Sequence, residues 1–143
     1  MPPPIDHPCL HLHVLPDMFF VSKLEPIEPV PQSIINHLSN DSRFLSLTRT
    51  PQNEMKTSIV GQWHDGIPAA FEHEAVWRCI KLQGPMEFSL VGVLAQLAAP
   101  LKEAGIGIFV VSTWNTDYIL VNASNLETAV GALRVDGWIF VST

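Results

Sequence analysis

The sequence predicts an α+β fold, because short runs rich in Val, Ile and Phe alternate with only two or three helical patterns along 143 residues. The second half carries the clearest signal. Leu90, Val93, Leu94, Leu97 and Leu101 recur at the spacing of one helical face, and Gly105 stops that pattern. Ile106–Thr113 and Tyr118–Val121 then read as strands joined by the turn Ser112-Thr113-Trp114-Asn115-Thr116-Asp117.

With 47% hydrophobic residues the chain can bury an adequate core, as one compact unit or as two half-sized subdomains. The start, Met1 to Pro8, is proline-rich and reads as a flexible tail lacking the apolar region of a secretory signal. Leu10 to Leu15 and Met18 to Leu24 are β-rich runs flanking Pro16-Asp17, the pattern of a hairpin. After a proline-containing connector, Ile34, Ile35 and Leu38 predict a short amphipathic helix. Arg43–Thr50 and Lys56–Gln62 predict two further strands around the turn residues Pro51-Gln52-Asn53.

Gly66, Pro68 and the charges between Trp63 and Glu74 mark a boundary, giving a tail at 1–8, a first repeat at 9–66 and a second at 67–143. Val76–Gln83 reads as a strand ended by Gly84-Pro85. Pro100 inside the long helical pattern removes one backbone hydrogen bond, at about 3 kcal/mol if uncompensated, so a kink is expected there. Ser124-Asn125-Leu126-Glu127 has the form of a capping box, opening a helix that faces inward through Leu126, Ala129, Val130 and Leu133 and stops at Gly137. Trp138–Val141 closes a βαββαβ order, with an antiparallel sheet and both helices on one face.

Several function classes lose support at this level. A net charge of −6 with eight scattered Lys and Arg leaves no basic footprint for nucleic acid or anionic membrane. No apolar run approaches the roughly 20 residues of a membrane span, and an intracellular, cytoplasmic location is expected. Cys9 and Cys79 stand far apart, without Cys-x-x-Cys spacing, and read as buried thiols. His11-x-His13, His64-Asp65 and Glu72-His73-Glu74 are incomplete as metal sites. There is no nucleophile-elbow sequence, and Gly105-Ile106-Gly107 precedes a strand instead of opening a helix around a phosphate. No catalytic residue, metal or cofactor is expected.

The segments Gly84-Pro85-x-x-Phe88-Ser89-Leu90-x-Gly92-x-Leu94-Ala95, Leu101-x-x-Ala104-Gly105-Ile106-x-Ile108 and Ser112-Thr113-x-x-Thr116-Asp117-Tyr118-Ile119-Leu120-Val121 resemble the ACT domain of the lysine-sensitive aspartokinase type. The resemblance extends to tandem ACT proteins related to the animal cytosolic arginine sensors. Phe44-x-Ser46-x-Thr48-Arg49-Thr50, with Glu54 and Ser58-Ile59-Val60, is similar to their degenerate first repeat. It implies a ferredoxin-like fold of two repeats, no catalysis, and a free amino acid bound where ACT repeats meet. By position it assigns ligand contacts to Glu103, Gly105, Ile106, Thr113, Trp114 and Asp117, with Ser58 and Ile59 from the other repeat. A homodimer, or a regulatory protein partner, is implied as well.

Those residue types suit the task. Glu103 and Asp117 can accept from an ammonium or from the cationic side chain of arginine or lysine, while the backbone at Gly105 and Gly107 is open to a carboxylate. Each also has an ordinary structural role: Glu103 as a solvated residue of a last helical turn, Gly105 as a C-cap, Asp117 as a turn residue, Trp114 over a core or interface. An ACT interaction module without ligand, or the regulatory subunit of a biosynthetic enzyme, are the alternative readings.

Overall fold

A computed structural model describes residues 8–25, 28–40, 42–51, 57–85 and 92–141. The expected tail before Pro8, Glu54 and the Phe88-Ser89-Leu90 motif lie outside the described residues. In chain order the strands and helices are β1 (Leu12–Val14), β2 (Phe19–Leu24), α1 (Gln32–Asn40), β3 (Leu45–Arg49), β4 (Thr57–Gln62), β5 (Trp77–Leu82), α2 (Val93–Glu103), β6 (Ile108–Ser112), β7 (Asp117–Asn122) and α3 (Leu126–Val135). Short 3-10 segments stand at Pro8–Leu10, Ala69–Glu74 and Ala123–Asn125. The chain divides into two compact units, Met1–Pro16 with Arg78–Thr143, and Asp17–Trp77.

In the unit Asp17–Trp77, β2 and β4 pair antiparallel from Phe19↔Gln62 to Leu24↔Thr57, and β3 joins β4 on its other side. Period-2 alternation turns Phe20 and Ile59 inward, where they meet Leu24, Ile34, Ile67 and Phe71. Phe20 stacks on Phe71 at 5.6 Å between ring centroids. α1 forms where the apolar spacing predicts it, but it buries Ile34 alone and leaves Ile35 and Leu38 exposed.

The larger unit is built on β5, β7 and β6, in that order, with β7 and β6 antiparallel from Ile108↔Val121 to Ser112↔Asp117. β1 adds to the other side of β5, with Leu12↔Leu82 and Val14↔Ile80 as partners. Leu12 in turn bridges Phe140 in parallel: its N–H donates to the Ile139 carbonyl and its own carbonyl accepts from Val141 N–H, both at 2.8 Å. The hairpin expected from residues 10–24 is therefore not formed. β1 draws its partners from β5 and from the Phe140 segment, and these long-range pairings override the local turn signal at Pro16-Asp17. The expected closing strand Trp138–Val141 is reduced to that single bridge.

α2 and α3 cover one face of this sheet. Val93, Leu97 and Leu101 of α2 and Ala129 and Leu133 of α3 share a core with Leu12, Ile80, Leu82, Ile119 and Val121. Burying a leucine side chain such as Leu97 stabilises by roughly 1.5–3 kcal/mol. α2 continues through Pro100 to Glu103. The capping box expected at Ser124 is absent: Asn122 Oδ1 accepts from Ser124 N–H at 3.1 Å, so the cap lies two residues earlier and a 3-10 turn precedes α3.

The two units repeat one arrangement of strand, helix, strand, strand and helical segment. In each the first strand lies beside the third (β2 by β4, β5 by β7) and the second takes the outer place (β3, β6).

Candidate functional site

α2 ends in a left-handed Gly105 with φ of 75°. Gly105 N–H donates to Lys102 O at 3.0 Å and Ile106 N–H to Leu101 O at 2.9 Å, the paired bonds of a Schellman motif, which bury Ile106 against the helix it follows. α3 ends in the same way at Gly137, with Trp138 N–H bonded to Leu133 O at 2.9 Å. Gly105 is thus a C-cap, Ile106 is a core residue, and Glu103 stands exposed in the last turn. Glu103 lines a groove of about 530 Å³ between α2 and α3, floored by small residues including Ala99, Gly131 and Ala132.

At the far end of β6, the turn to β7 is closed by Thr113, whose N–H and Oγ1 both donate to Thr116 O at 2.9 Å. Thr113 and Trp114 are exposed, Trp114 at 80% of its surface, whereas Asp117 is buried opposite Ser112. Ser58 sits half-buried in β4 opposite Lys23 and Thr48, and Ile59 lies in the core of the unit Asp17–Trp77. The residues named from sequence therefore fall into separate groups. Glu103, Gly105 and Ile106 stand at one end of β6 and Thr113, Trp114 and Asp117 at the other. A strand of this length separates them by about 17 Å at ~3.4 Å per residue.

Sequence reasoning missed a second cavity in the larger unit. Lys81, Gln83, Pro85, Thr113, Asn115, Thr116 and Tyr118 line a space of about 340 Å³. Lys81 Nζ stands 5.6 Å from the centre of the Tyr118 ring. Alternation on β5 carries the signal: Ile80 and Leu82 join the helix-covered core, which places Lys81 on the opposite face. Burial pushes the neighbouring Cys79 thiol up to about 12 against the opposing effects of Lys81 and a backbone hydrogen bond at Ile119. Tyr118 is also raised, by burial first and then by the Cys79 charge.

The His11-x-His13 pair serves other contacts. His13 Nε2 meets Gln83 Oε1, while His11 Nε2 and His13 Nδ1 are buried with no hydrogen-bond partner among the described residues. Among the described residues no group of three His, Cys, Asp or Glu could hold a metal ion. No helix among them is long and apolar enough to cross a membrane.

Residues 72–135 match the sequence profile of the ACT domain, and they span β5, α2, β6, β7 and α3, which carry both groups at the ends of β6. That segment is an ACT domain. The chain also belongs to one family with the Agobacterium tumefaciens protein Atu0741, whose crystal structure is 32% identical with a TM-score of 0.75, covering 93% of this chain and 92% of that one. The ligand-free regulatory subunit of aspartate kinase from Thermus thermophilus has a similar fold, with a TM-score of 0.60 at 11% identity over 88% of this chain and 96% of that one. Among curated proteins, the Bos taurus cytosolic arginine sensor for mTORC1 subunit 1 is 35% identical over 65 residues, which are 43% of this chain. The match spans about a fifth (20%) of that sensor's length.

Proposed function

We propose that this chain is a non-catalytic regulatory protein of two ACT repeats, 9–66 and 67–143 behind a short tail, that binds a free amino acid where repeats meet. The observation that carries the reading is the position of the two residue groups at opposite ends of β6, the outermost strand of the ACT domain among the described residues. A second β6 laid antiparallel along that outer edge sets the Gly105-Ile106 end of one strand beside the Thr113–Asp117 end of the other. A homodimer then assembles a site that one ACT domain holds only in halves.

Ser58 and Ile59, in the corresponding strand pair of the first repeat, are assigned to the same ligand by resemblance. The acidic Glu103 and Asp117 favour a cationic amino acid, arginine or lysine. The name of the Bos taurus relative agrees with this class of ligand. A cytoplasmic location and a regulatory partner protein complete the reading, and ligand binding acts on that partner only through different affinity in two states.

A thermal-shift screen against the twenty amino acids tests it. A ligand at about 100 times its dissociation constant adds roughly 2.7 kcal/mol, a rise of several degrees. Arginine or lysine is expected to raise the midpoint, and Asp117→Ala to abolish the rise while the protein still melts cooperatively. A flat screen removes the sensor reading. It leaves an ACT interaction module, which the exposed Trp114 and the edge of β6, unpaired among the described residues, favour.

A further inference from the structure

We propose that the cavity beside Lys81 and Tyr118 is a binding site for a small monocarboxylate; it shares Thr113 with the residues assigned to the amino acid but does not depend on that reading. Lys81 is half-buried and carries three N–H donors, yet it has no acidic partner among the described residues. A cation held in such a place without a counter-charge attracts an anion. Of the described residues lining the cavity none is acidic, and Lys81 is the sole cation among them. One cation matches a single negative charge, which selects a carboxylate over a phosphate dianion. With no acidic group among the described lining residues, the ammonium of an amino acid finds no partner there, so a simple oxo- or hydroxyacid fits better than an amino acid.

The walls are set in advance. Thr116 Oγ1 donates to Leu82 O at 3.0 Å, and Thr113 closes its turn on Thr116 O, so the end of β5 and the β6–β7 turn are tied together. Gly84 fits so closely that a Cβ there would stand 3.0 Å from Thr116 Cβ and 3.1 Å from the Asn115 carbonyl oxygen. The Tyr118 ring supplies an apolar wall, while Gln83 and Asn115 place carboxamides at the rim. A volume of about 340 Å³ admits a molecule of a few heavy atoms with water around it.

Amide-resolved NMR titration of the full chain with pyruvate tests the site, with inorganic phosphate and sodium chloride at matched ionic strength run in parallel. Pyruvate is expected to shift the amides of Thr113, Asn115 and Thr116 saturably. Lys81→Gln is expected to weaken it by at least about tenfold, and Lys81→Arg by much less. An unsaturable response, an equal response to phosphate or chloride, or unchanged affinity in Lys81→Gln overturns the proposal. The titration of the unaltered chain decides it even if Lys81→Gln does not fold. A chain that binds pyruvate here but no amino acid in the melting screen loses the sensor reading and keeps this one.

Discussion

Ile106 is tied back to Leu101 by a backbone hydrogen bond of 2.9 Å that Gly105, at φ 75°, makes possible by turning the chain left-handed. The bond fixes where α2 stops and therefore where β6 begins. A Cβ built on Gly105 would meet nothing within 4 Å, so the glycine is required by conformation and not by space. Gly105→Ala is expected to destabilise by about 1 kcal/mol, lowering the midpoint by ~3 °C in a thermal melt.

Gly84 combines both constraints. Its φ is 60° and a Cβ would press on Thr116 and on the Asn115 carbonyl. Gly84→Ala is expected to cost about 2–3 kcal/mol, clearly more than Gly105→Ala, because strain and overpacking add. Denaturant melts of the two variants measured together give the comparison.

Cys79 makes the fold sensitive to alkali. Its folded-state value lies near 12 against an ordinary 9.0, because burial disfavours the thiolate. The folded state therefore holds its proton more tightly than the unfolded chain. The resulting stability is complete below pH 9 and is lost progressively as the pH rises from 9 toward 12. Tyr118, raised for the same reason, acts in the same direction. Cys79→Ala is expected to flatten the alkaline limb of a stability profile taken by urea titration at successive pH values, while lowering stability at neutral pH through the lost packing.

The outer edge of β6 offers a further test. Phe109 is one of the exposed large apolar side chains and lies on that strand. Phe109→Lys is expected to weaken self-association by about tenfold or more in sedimentation or light scattering, since a charge on an edge strand opposes side-by-side pairing. An unchanged association constant places the contact elsewhere.

Most elements were legible because their signals are local. α2 shows this through Val93, Leu97 and Leu101, which the 3.6-residue period aligns and the core buries. β6 and β7 follow from runs of β-branched and aromatic residues. What the sequence concealed depended on distant partners. Nothing near Leu12 announces that Leu82 and Phe140 flank it, and the local turn residues pointed to a hairpin instead. The candidate site shows the same limit. Gly105 and Asp117 can be picked out from motifs, and the strand expected between them already sets them apart, but the burial of Asp117 opposite Ser112 emerges only from the fold. Lys81 belongs to no motif; only the outward side of β5 gives it significance.

The seat of β1 between β5 and the Phe140 segment also orders events during synthesis. Asp17–Trp77 is continuous in sequence and can organise as soon as it leaves the ribosome. Leu10 and Leu12 emerge before it yet cannot be fully enclosed until Phe140 has been made, because their neighbours come from the other end of the chain. Until then these apolar residues wait uncovered, and the loop that their enclosure closes runs from Leu12 to Phe140, a long one with a correspondingly large entropic cost.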